Sequence, residues 1–313
     1  MRYLLQGLTL ALAWFATVNA VASVIVVAAS RRRWRAESPA FWLALRMCPA
    51  AASTMFVVAV FVPAYWRYEP VETVERLDVT LVGAAALAIT LVMSASVRGV
   101  RAWRQTSQRV RSWMRTARPI ALGGTSFPAF VVDGHTPVMA LAGVLRPRLF
   151  VTRALVNALT RDELAASVAH EIGHFRAFDN LKRLAMCAAP DFLTFTEAAR
   201  TLERRWASTA EHVADRMCDN ATAAARYALA SALVKVARLT PGAGTVAEPI
   251  STLIGCGEIA SRVRRLLDDR ATAAPPRVPW WPPIATLLVV ATTYGPLLRA
   301  VHHVTELLVH ALP

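Results

Sequence analysis

Two kinds of residue are scarce in this sequence, and each scarcity limits what the protein is. There are four cysteines in 313 residues, none of them in a C-x-x-C pair: Cys48, Cys187, Cys218 and Cys256. In a chain of this size the even count is no evidence for a disulfide framework, so a reducing compartment is allowed. Acidic residues are also few, 21 against 35 Lys and Arg, which gives a net charge of +14. The first explanation for this surplus of positive charge is that basic residues flank membrane spans on the cytoplasmic side, and the second is that the protein binds nucleic acid.

Apolar residues, by contrast, are abundant and concentrated in blocks. The sequence is 55% hydrophobic, with a mean hydropathy of +0.39, which is too apolar for an ordinary soluble domain. Four runs are predicted to cross a hydrocarbon layer of about 30 Å: 3–29, 47–65, 79–97 and 280–298. The first run continues to Arg31-Arg32-Arg33, a stop-transfer pattern, so we predict a retained span. Arg46, at the edge of the second run, is predicted to snorkel to the interface.

The distribution of Lys and Arg in the short loops predicts the orientation of these spans. The 30–40 loop and the 98–118 segment are strongly basic, whereas the 67–78 loop is acidic. The amino terminus is therefore predicted outside, and the region between the third and fourth spans in the cytoplasm. The 98–118 segment also places apolar residues on one helical face, which predicts an amphipathic helix lying on an anionic leaflet. No recognisable nucleic-acid module accompanies it, so we expect no direct nucleic-acid binding.

An H-E-x-x-H motif begins at His170 in the predicted cytoplasmic region. On a helix, His170 and His174 leave the same face about one turn apart. Both imidazoles can then bind one tetrahedral Zn²⁺, the predicted cofactor, and Glu171 lies beside the metal as a general base. Thr160 and Glu163 predict a capping box at the start of this helix.

A third protein ligand has to come from elsewhere in the chain. Glu211 lies in a later helix-compatible run, and Asp215 follows it by one turn. We predict that Glu211 binds the metal and that Asp215 accepts a hydrogen bond from a ligand imidazole and fixes its tautomer. Three other acidic residues compete with Glu211 but lack an acidic partner one turn later: Asp191, Glu197 and Glu203. Three good ligands rather than four favour an open, catalytic site over a closed structural one.

The chain divides into three predicted parts. Residues 1–117 hold three transmembrane helices and a basic juxtamembrane helix, residues 118–272 form a zinc metallopeptidase domain, and residues 273–313 form the fourth transmembrane helix and a short tail. Within the middle part, 127–132, 138–141 and 148–152 read as strands, and nearly everything after Thr160 reads as helix. The expected fold class is mainly α, with four transmembrane helices and an inserted α+β zincin domain of gluzincin-like type between the third and fourth.

Several further stretches accompany the motif in a specific order: 145–151, 160–174, Asp179-Asn180, Glu211 with Asp215, and 227–233. In this order the chain resembles the integral-membrane metallopeptidases of the beta-lactam-sensing antirepressor (BlaR/MecR) type, over most of its length. The resemblance implies that the two motif histidines and Glu211 bind zinc and that Glu171 is the general base. It also implies proteolysis of a cytoplasmic protein substrate in signalling, either a transcriptional repressor or the chain itself.

The same resemblance implies a multi-pass protein of the bacterial inner (cell) membrane, surrounded by lipid bilayer, with its protease domain in the cytoplasm. Only residues 299–313 follow the fourth span, so we expect no penicillin-binding sensor domain there, and a signal would have to enter through the spans, the loops or a partner. The membrane-bound heat-shock protease type is also similar, although its glutamate ligand usually lies further downstream. A quality-control protease and a zinc-binding receptor without catalysis therefore stay open as alternatives.

Overall fold

The computed structural model describes residues 2–32, 34, 38–69, 78–123, 127–134, 138–144, 146–219, 223–239, 259–268 and 281–311. Several predicted features lie wholly or partly outside these residues: the acidic loop at 70–77, the basic loop at 33 and 35–37, Leu145, Cys256 and Trp280. The described chain is mainly helical, with one small sheet.

Three helices in the described part of the chain are long and apolar enough to cross a membrane. The first is α1 (Arg2–Ser30) and the third is α4 (Val79–Met114). The second runs from Pro39 to Tyr68 and consists of three consecutive segments: α2 (Pro39–Phe56), a π-helix (Val57–Phe61) and α3 (Val62–Tyr68). A helix satisfies its backbone hydrogen bonds within the segment, as a hydrocarbon environment requires. The first three predicted spans are thus confirmed as membrane-length helices.

The basic segment after the third apolar run is not a separate helix. α4 continues without interruption for 36 residues, which corresponds to about 54 Å at 1.5 Å per residue, whereas a hydrocarbon core is about 30 Å thick. The expectation of a helix lying on the membrane surface is therefore wrong, because the basic half continues along the axis of the apolar half. Gly99 permits a close crossing in this helix, since a Cβ at this position would lie 2.9 Å from the Cβ of Ala188.

Four strands follow α4 and form one sheet in the order β1-β2-β4-β3. They are β1 (Arg118–Pro119), β2 (Ala129–Val132), β3 (Met139–Ala142) and β4 (Arg148–Thr152). β2 pairs with β4 in parallel, and the two outer pairs are antiparallel. The three predicted strands are confirmed, whereas β1 was not predicted, because two exposed residues carry no alternating pattern. This order leaves β3 at one edge of the sheet.

The described part of the chain from 153 to 268 is mainly helical, and its helices after Thr160 agree with the prediction. Its helices are α5 (Arg153–Ala158), α6 (Arg161–Arg176), α7 (Asp179–Cys187), α8 (Glu197–Asp219), α9 (Ala223–Leu239) and α10 (Ile259–Leu267). α6 carries the H-E-x-x-H motif. Its Val168 is buried in one core with Leu141 of β3, Val151 of β4 and Ala232 of α9, so the sheet and α9 together hold the motif helix in place.

The predicted capping box at the start of α6 is confirmed. The Thr160 hydroxyl accepts a hydrogen bond from the backbone N–H of Glu163, and the Glu163 carboxylate accepts one from the backbone N–H of Thr160. The same carboxylate accepts hydrogen bonds from Ser231 at 2.6 Å and from Lys235 at 2.7 Å. Burial alone would raise the pKa of Glu163, but these donors lower it to about 2. The cap therefore also ties α6 to α9.

α11 (Trp281–Ala311) contains most of the fourth apolar run. It is not among the three helices of the described chain that meet the criteria for a span, so the fourth span stays a prediction. α11 lies against the first spans: Val301 shares a core with Leu10 and Tyr65, and the indole N–H of Trp14 donates to the Thr305 hydroxyl at 3.1 Å.

Arg46 joins the second span to the domain. Only 1% of its side chain is exposed. Nη1 donates to Asp191 Oδ2 and Nε donates to Glu203 Oε1, both at 2.8 Å, and Nη2 donates to the carbonyl of Met186. The prediction that Arg46 snorkels to the interface is wrong, because the carboxylates of the domain neutralise its charge inside the protein.

Replacing Arg46 with alanine should lower the free energy of unfolding by about 3–5 kcal/mol, because Asp191 would remain buried without its partner. Arg200→Ala is the matched control, since it breaks a pair with Glu197 in which both side chains are more than half exposed, worth about 0–1 kcal/mol. Thermal unfolding of both variants in detergent measures the difference. A melting temperature of Arg46→Ala equal to that of the wild type would contradict the prediction.

Candidate metal centre

α6 brings the two histidines of the motif together. Their Nε2 atoms are 3.2 Å apart, and both residues are buried. From α8, Glu211 approaches each of them: Oε2 lies 3.4 Å from His170 Nε2, and Oε1 lies 3.4 Å from His174 Nε2. A tetrahedral zinc ion bound at about 2.0–2.1 Å separates its ligand atoms by about 3.3–3.4 Å. The three side chains therefore have the spacing that a zinc ion requires.

The group that could hold a metal thus contains the predicted Glu211 with His170 and His174. The residues that competed with Glu211 in the sequence lie in other contacts. Asp191 and Glu203 bind Arg46. Glu197 pairs with Arg200 on the surface.

Each imidazole has a carboxylate behind it. His170 Nδ1 lies 3.0 Å from Asp215 Oδ1, and His174 Nδ1 lies 2.8 Å from Asp179 Oδ2. A carboxylate at Nδ1 favours the tautomer that carries its proton there, which leaves the Nε2 lone pair for a metal. Asp215 was predicted in this position. Asp179 was part of the family resemblance without a role of its own, and the structure places it against His174.

A left-handed residue makes the contact of Asp179 possible. Phe178, between α6 and α7, has φ 55° and ψ 35°, a conformation that non-glycine residues seldom adopt. The chain turns there, and α7 begins with the Asp179 carboxylate facing back to His174. An exposed phenylalanine gives no sequence signal for such a turn, so spacing alone did not reveal this contact.

Arg262 of α10 completes the site. Its Nη1 lies 2.9 Å from Glu211 Oε2, and its Nη2 and Nε donate to the two oxygens of Asp215 at 2.6 and 3.0 Å. A planar guanidinium fixes the direction of a carboxylate that it binds through two donors. No spacing in the sequence connects Arg262 with the motif or with Glu211, and only the packing of α10 brings its guanidinium to Glu211 and Asp215.

The charged groups of the site shift the pKa values of Glu211 and His174 strongly. Burial alone would raise the pKa of Glu211, but His174 and His170 hold it well below its usual range, and the Arg262 guanidinium adds to this effect. Burial alone would likewise lower the pKa of His174. The Glu211 charge and the hydrogen bond to Asp179 instead raise it to about 10. With only protein groups around it, the site therefore holds protons that a metal has to displace.

Glu171 lies next to the ligand group and is also buried. It lines a small pocket together with His170 and Arg262. The rest of the wall is largely apolar and includes Met139 of β3 and Leu233 of α9. A carboxylate beside a metal site and at the wall of an apolar pocket can exchange protons with a bound substrate.

Residues 104–242 match the family model of peptidase family M48. This is a zinc metalloprotease family, so the match supports a metallopeptidase. The matched residues include the sheet, the motif helix α6 and Glu211 on α8. Arg262 lies beyond them, so its place in the site comes from the structure alone. No curated protein sequence matches the chain.

Zinc binding should become tighter as the pH rises. A pKa of about 10 for His174 means that its imidazole is protonated at neutral pH in protein stripped by a chelator, whereas a ligand imidazole must be neutral. Below that pKa, the apparent affinity for zinc should rise by up to about tenfold per pH unit for each proton that the metal displaces. Competition with a chromogenic chelator at pH 6, 7.5 and 9 measures this affinity. Asp179→Asn should flatten the dependence, and an affinity that does not change with pH would contradict the prediction.

Proposed function

We propose that the protein is a membrane-embedded zinc endopeptidase that hydrolyses peptide bonds of a cytoplasmic protein. The observation that carries this proposal is the convergence of His170, His174 and Glu211 next to a second glutamate, Glu171, which lies outside the ligand group. Three protein ligands with a separate carboxylate are typical of hydrolytic zinc sites. The match to a metallopeptidase family and the three membrane-length helices support the same reading.

The residues of the site have distinct roles in this proposal. His170, His174 and Glu211 would hold zinc, which polarises a carbonyl and lowers the pKa of water to roughly 7. Glu171 takes a proton from the attacking water and returns it to the leaving amine. Behind the ligands, the carboxylate contacts at each Nδ1 hold the imidazoles in the required tautomer, and the Arg262 guanidinium keeps the Glu211 carboxylate in place.

The edge strand β3 has backbone groups with which an extended substrate could pair. Val138 accepts a hydrogen bond from Thr152 of β4, so by the alternation of a strand the carbonyls of Met139, Leu141 and Gly143 point away from β4. Asn180 donates to the carbonyls of Leu141 and Gly143. We infer that a substrate strand pairs with β3 ahead of Leu141, next to Met139, which lines the same cavity as Glu171.

The apolar wall of that cavity supports a preference for one kind of substrate residue. Met139, Leu155, Leu229 and Leu233 lie around the space beside Glu171. An apolar side chain next to the cleaved bond would bury its surface there, whereas a charged side chain would lose its hydration without a partner. We therefore propose cleavage next to an apolar residue, as found in unfolded or membrane-proximal segments.

The biological role has two candidates. The resemblance to the antirepressor type supports cleavage of one regulator, either a repressor or the chain itself. The resemblance to the heat-shock type supports quality control of many membrane proteins, and the family match fits both. A proteome comparison of cells with the wild type and with Glu171→Gln separates them: signalling predicts that one regulator accumulates, and quality control predicts that many membrane proteins do.

Three substitutions should separate the roles of the acidic residues. Glu171→Gln should keep the zinc and lose on the order of 10²–10⁴-fold in cleavage rate, because it removes the general base. Glu211→Gln should lose zinc, because it removes the anionic ligand. Asp215→Asn should lose roughly 10–100-fold in affinity or activity. Zinc content and cleavage of an unfolded protein are measured on the same preparations.

The outcomes of this comparison bear on different parts of the proposal. If Glu171→Gln cleaves as fast as the wild type, the protein is not this kind of protease. If it keeps zinc and no preparation cleaves any substrate, the receptor without catalysis is the better reading. If Glu211→Gln keeps both zinc and activity, the third ligand is another residue. Asp162→Ala, an exposed change on the same helix, is the control and should behave like the wild type.

The orientation of the domain can be tested separately. We expect the region after α4 to lie in the cytoplasm, because the basic loops flank α1 and α4 on one side and the acidic loop lies on the other. Alkaline phosphatase fused after residue 117 in bacterial cells should be inactive, and the same reporter inserted at residue 73 should be active. High activity at residue 117 would reverse the topology without affecting the assignment of the zinc site.

A further inference from the structure

A second group of metal-ligating side chains lies outside the candidate metal centre. Glu69, which follows α3, meets His302 and Glu306 of α11, and one ligand atom from each lies within 4.8 Å of the others. His302 and Glu306 are four positions apart on a helix, so they share one face. Glu69 Oε2 lies 3.7 Å from His302 Nδ1. One imidazole and two carboxylates from distant parts of the sequence therefore converge.

This group is far from the catalytic residues. Near its start, α1 contacts α3, where the Tyr65 hydroxyl donates to the carbonyl of Tyr3 at 2.9 Å, four residues before Glu69. Further along α1, Asn19 donates to the carbonyl of Pro190 in the domain. At 1.5 Å per residue these two contacts are about 24 Å apart along the helix. In the proposed orientation, the end that carries Glu69 faces away from the cytoplasm.

The surrounding contacts hold the three side chains in position. The His302 ring stacks on Tyr68 with a centroid distance of 5.7 Å. Only 6% of the Glu69 side chain and 24% of the His302 side chain are exposed. Between the two ligands of α11, the buried Thr305 accepts a hydrogen bond from Trp14. The ligand atoms are thus carried by packed helices, which favours binding because little conformational freedom remains to be lost.

The donor set indicates the class of ion. Two carboxylates and one imidazole offer three ligand atoms to a divalent cation in a partly buried place. Imidazole together with carboxylate suits zinc and related transition metals, whereas magnesium and calcium favour oxygen ligands alone. Three protein ligands leave room for water, which is typical of a site that is not a closed structural centre.

We propose that Glu69, His302 and Glu306 form a second divalent transition-metal site, which joins α11 to the end of α3. Occupation would fix the last helix of the chain against the helices of the first two spans. The site is independent of the catalytic proposal, because it shares no residue with the candidate metal centre.

Zinc titration of the full chain in detergent tests the site. In a His170→Ala/His174→Ala background, which removes the catalytic ligands, calorimetry should show one saturable zinc site per chain. Adding Glu306→Gln or His302→Ala should weaken it by at least about tenfold, since losing a direct ligand costs no less than losing an outer partner. His303→Ala is the matched control, because His303 is the exposed neighbour on the same helix and lies outside the group; it should leave binding unchanged.

A second measurement distinguishes the loss of the metal site from a failure of the variant to fold. In the protein with intact histidines, metal analysis after equilibration with zinc should give one ion fewer per chain for Glu306→Gln than for His303→Ala, at equal melting temperatures without metal. Equal zinc content in those two variants, or no zinc binding by the background protein when it is folded, would overturn the proposal. Loss of the catalytic zinc alone would leave this difference of one ion in place.

Discussion

Buried charge has to be compensated, and in this protein that requirement decides how the helices of the domain meet. His170 and His174 come from α6, Glu211 and Asp215 from α8, and Arg262 from α10. None of these side chains is stable in the interior without the others, because the desolvation of a single charge costs several kcal/mol. A cluster that alternates imidazole, carboxylate and guanidinium places opposite charges next to one another, and it leaves two Nε2 atoms and one carboxylate directed at a common point.

The same principle operates where the domain meets the membrane helices. Arg46 would be costly within an apolar helix, but Asp191 and Glu203 of the domain neutralise it. Asn19 of α1 adds a hydrogen bond to Pro190. The spans therefore do more than anchor the domain, since they supply a charge that its own acidic residues need. α8, which Arg46 contacts through Glu203, also carries Glu211 of the candidate metal centre.

The catalytic proposal and the second metal site place chemistry in two parts of the same helical framework. α1 contacts the domain through Asn19 and the region of Glu69 through Tyr3. Through these two contacts α1 connects the region of Glu69 to the part of the chain that carries the candidate metal centre. α11, which packs against α1 through Thr305 and Trp14, carries two of the proposed ligands of the second site.

The sequence by itself determined the features that depend on local periodicity. Spacing on one helix predicted the pair His170 and His174 and the base Glu171, and the pair Glu211 and Asp215 followed from one helical turn. Length and hydropathy predicted four spans, of which three are confirmed as membrane-length helices in the described residues, and capping chemistry predicted the start of α6. Only the tertiary structure decided the partners of Arg46, the contact of Asp179 and the place of Arg262. These depend on which helix faces which, and on one left-handed turn at Phe178, and neither follows from the order of residues along a single element.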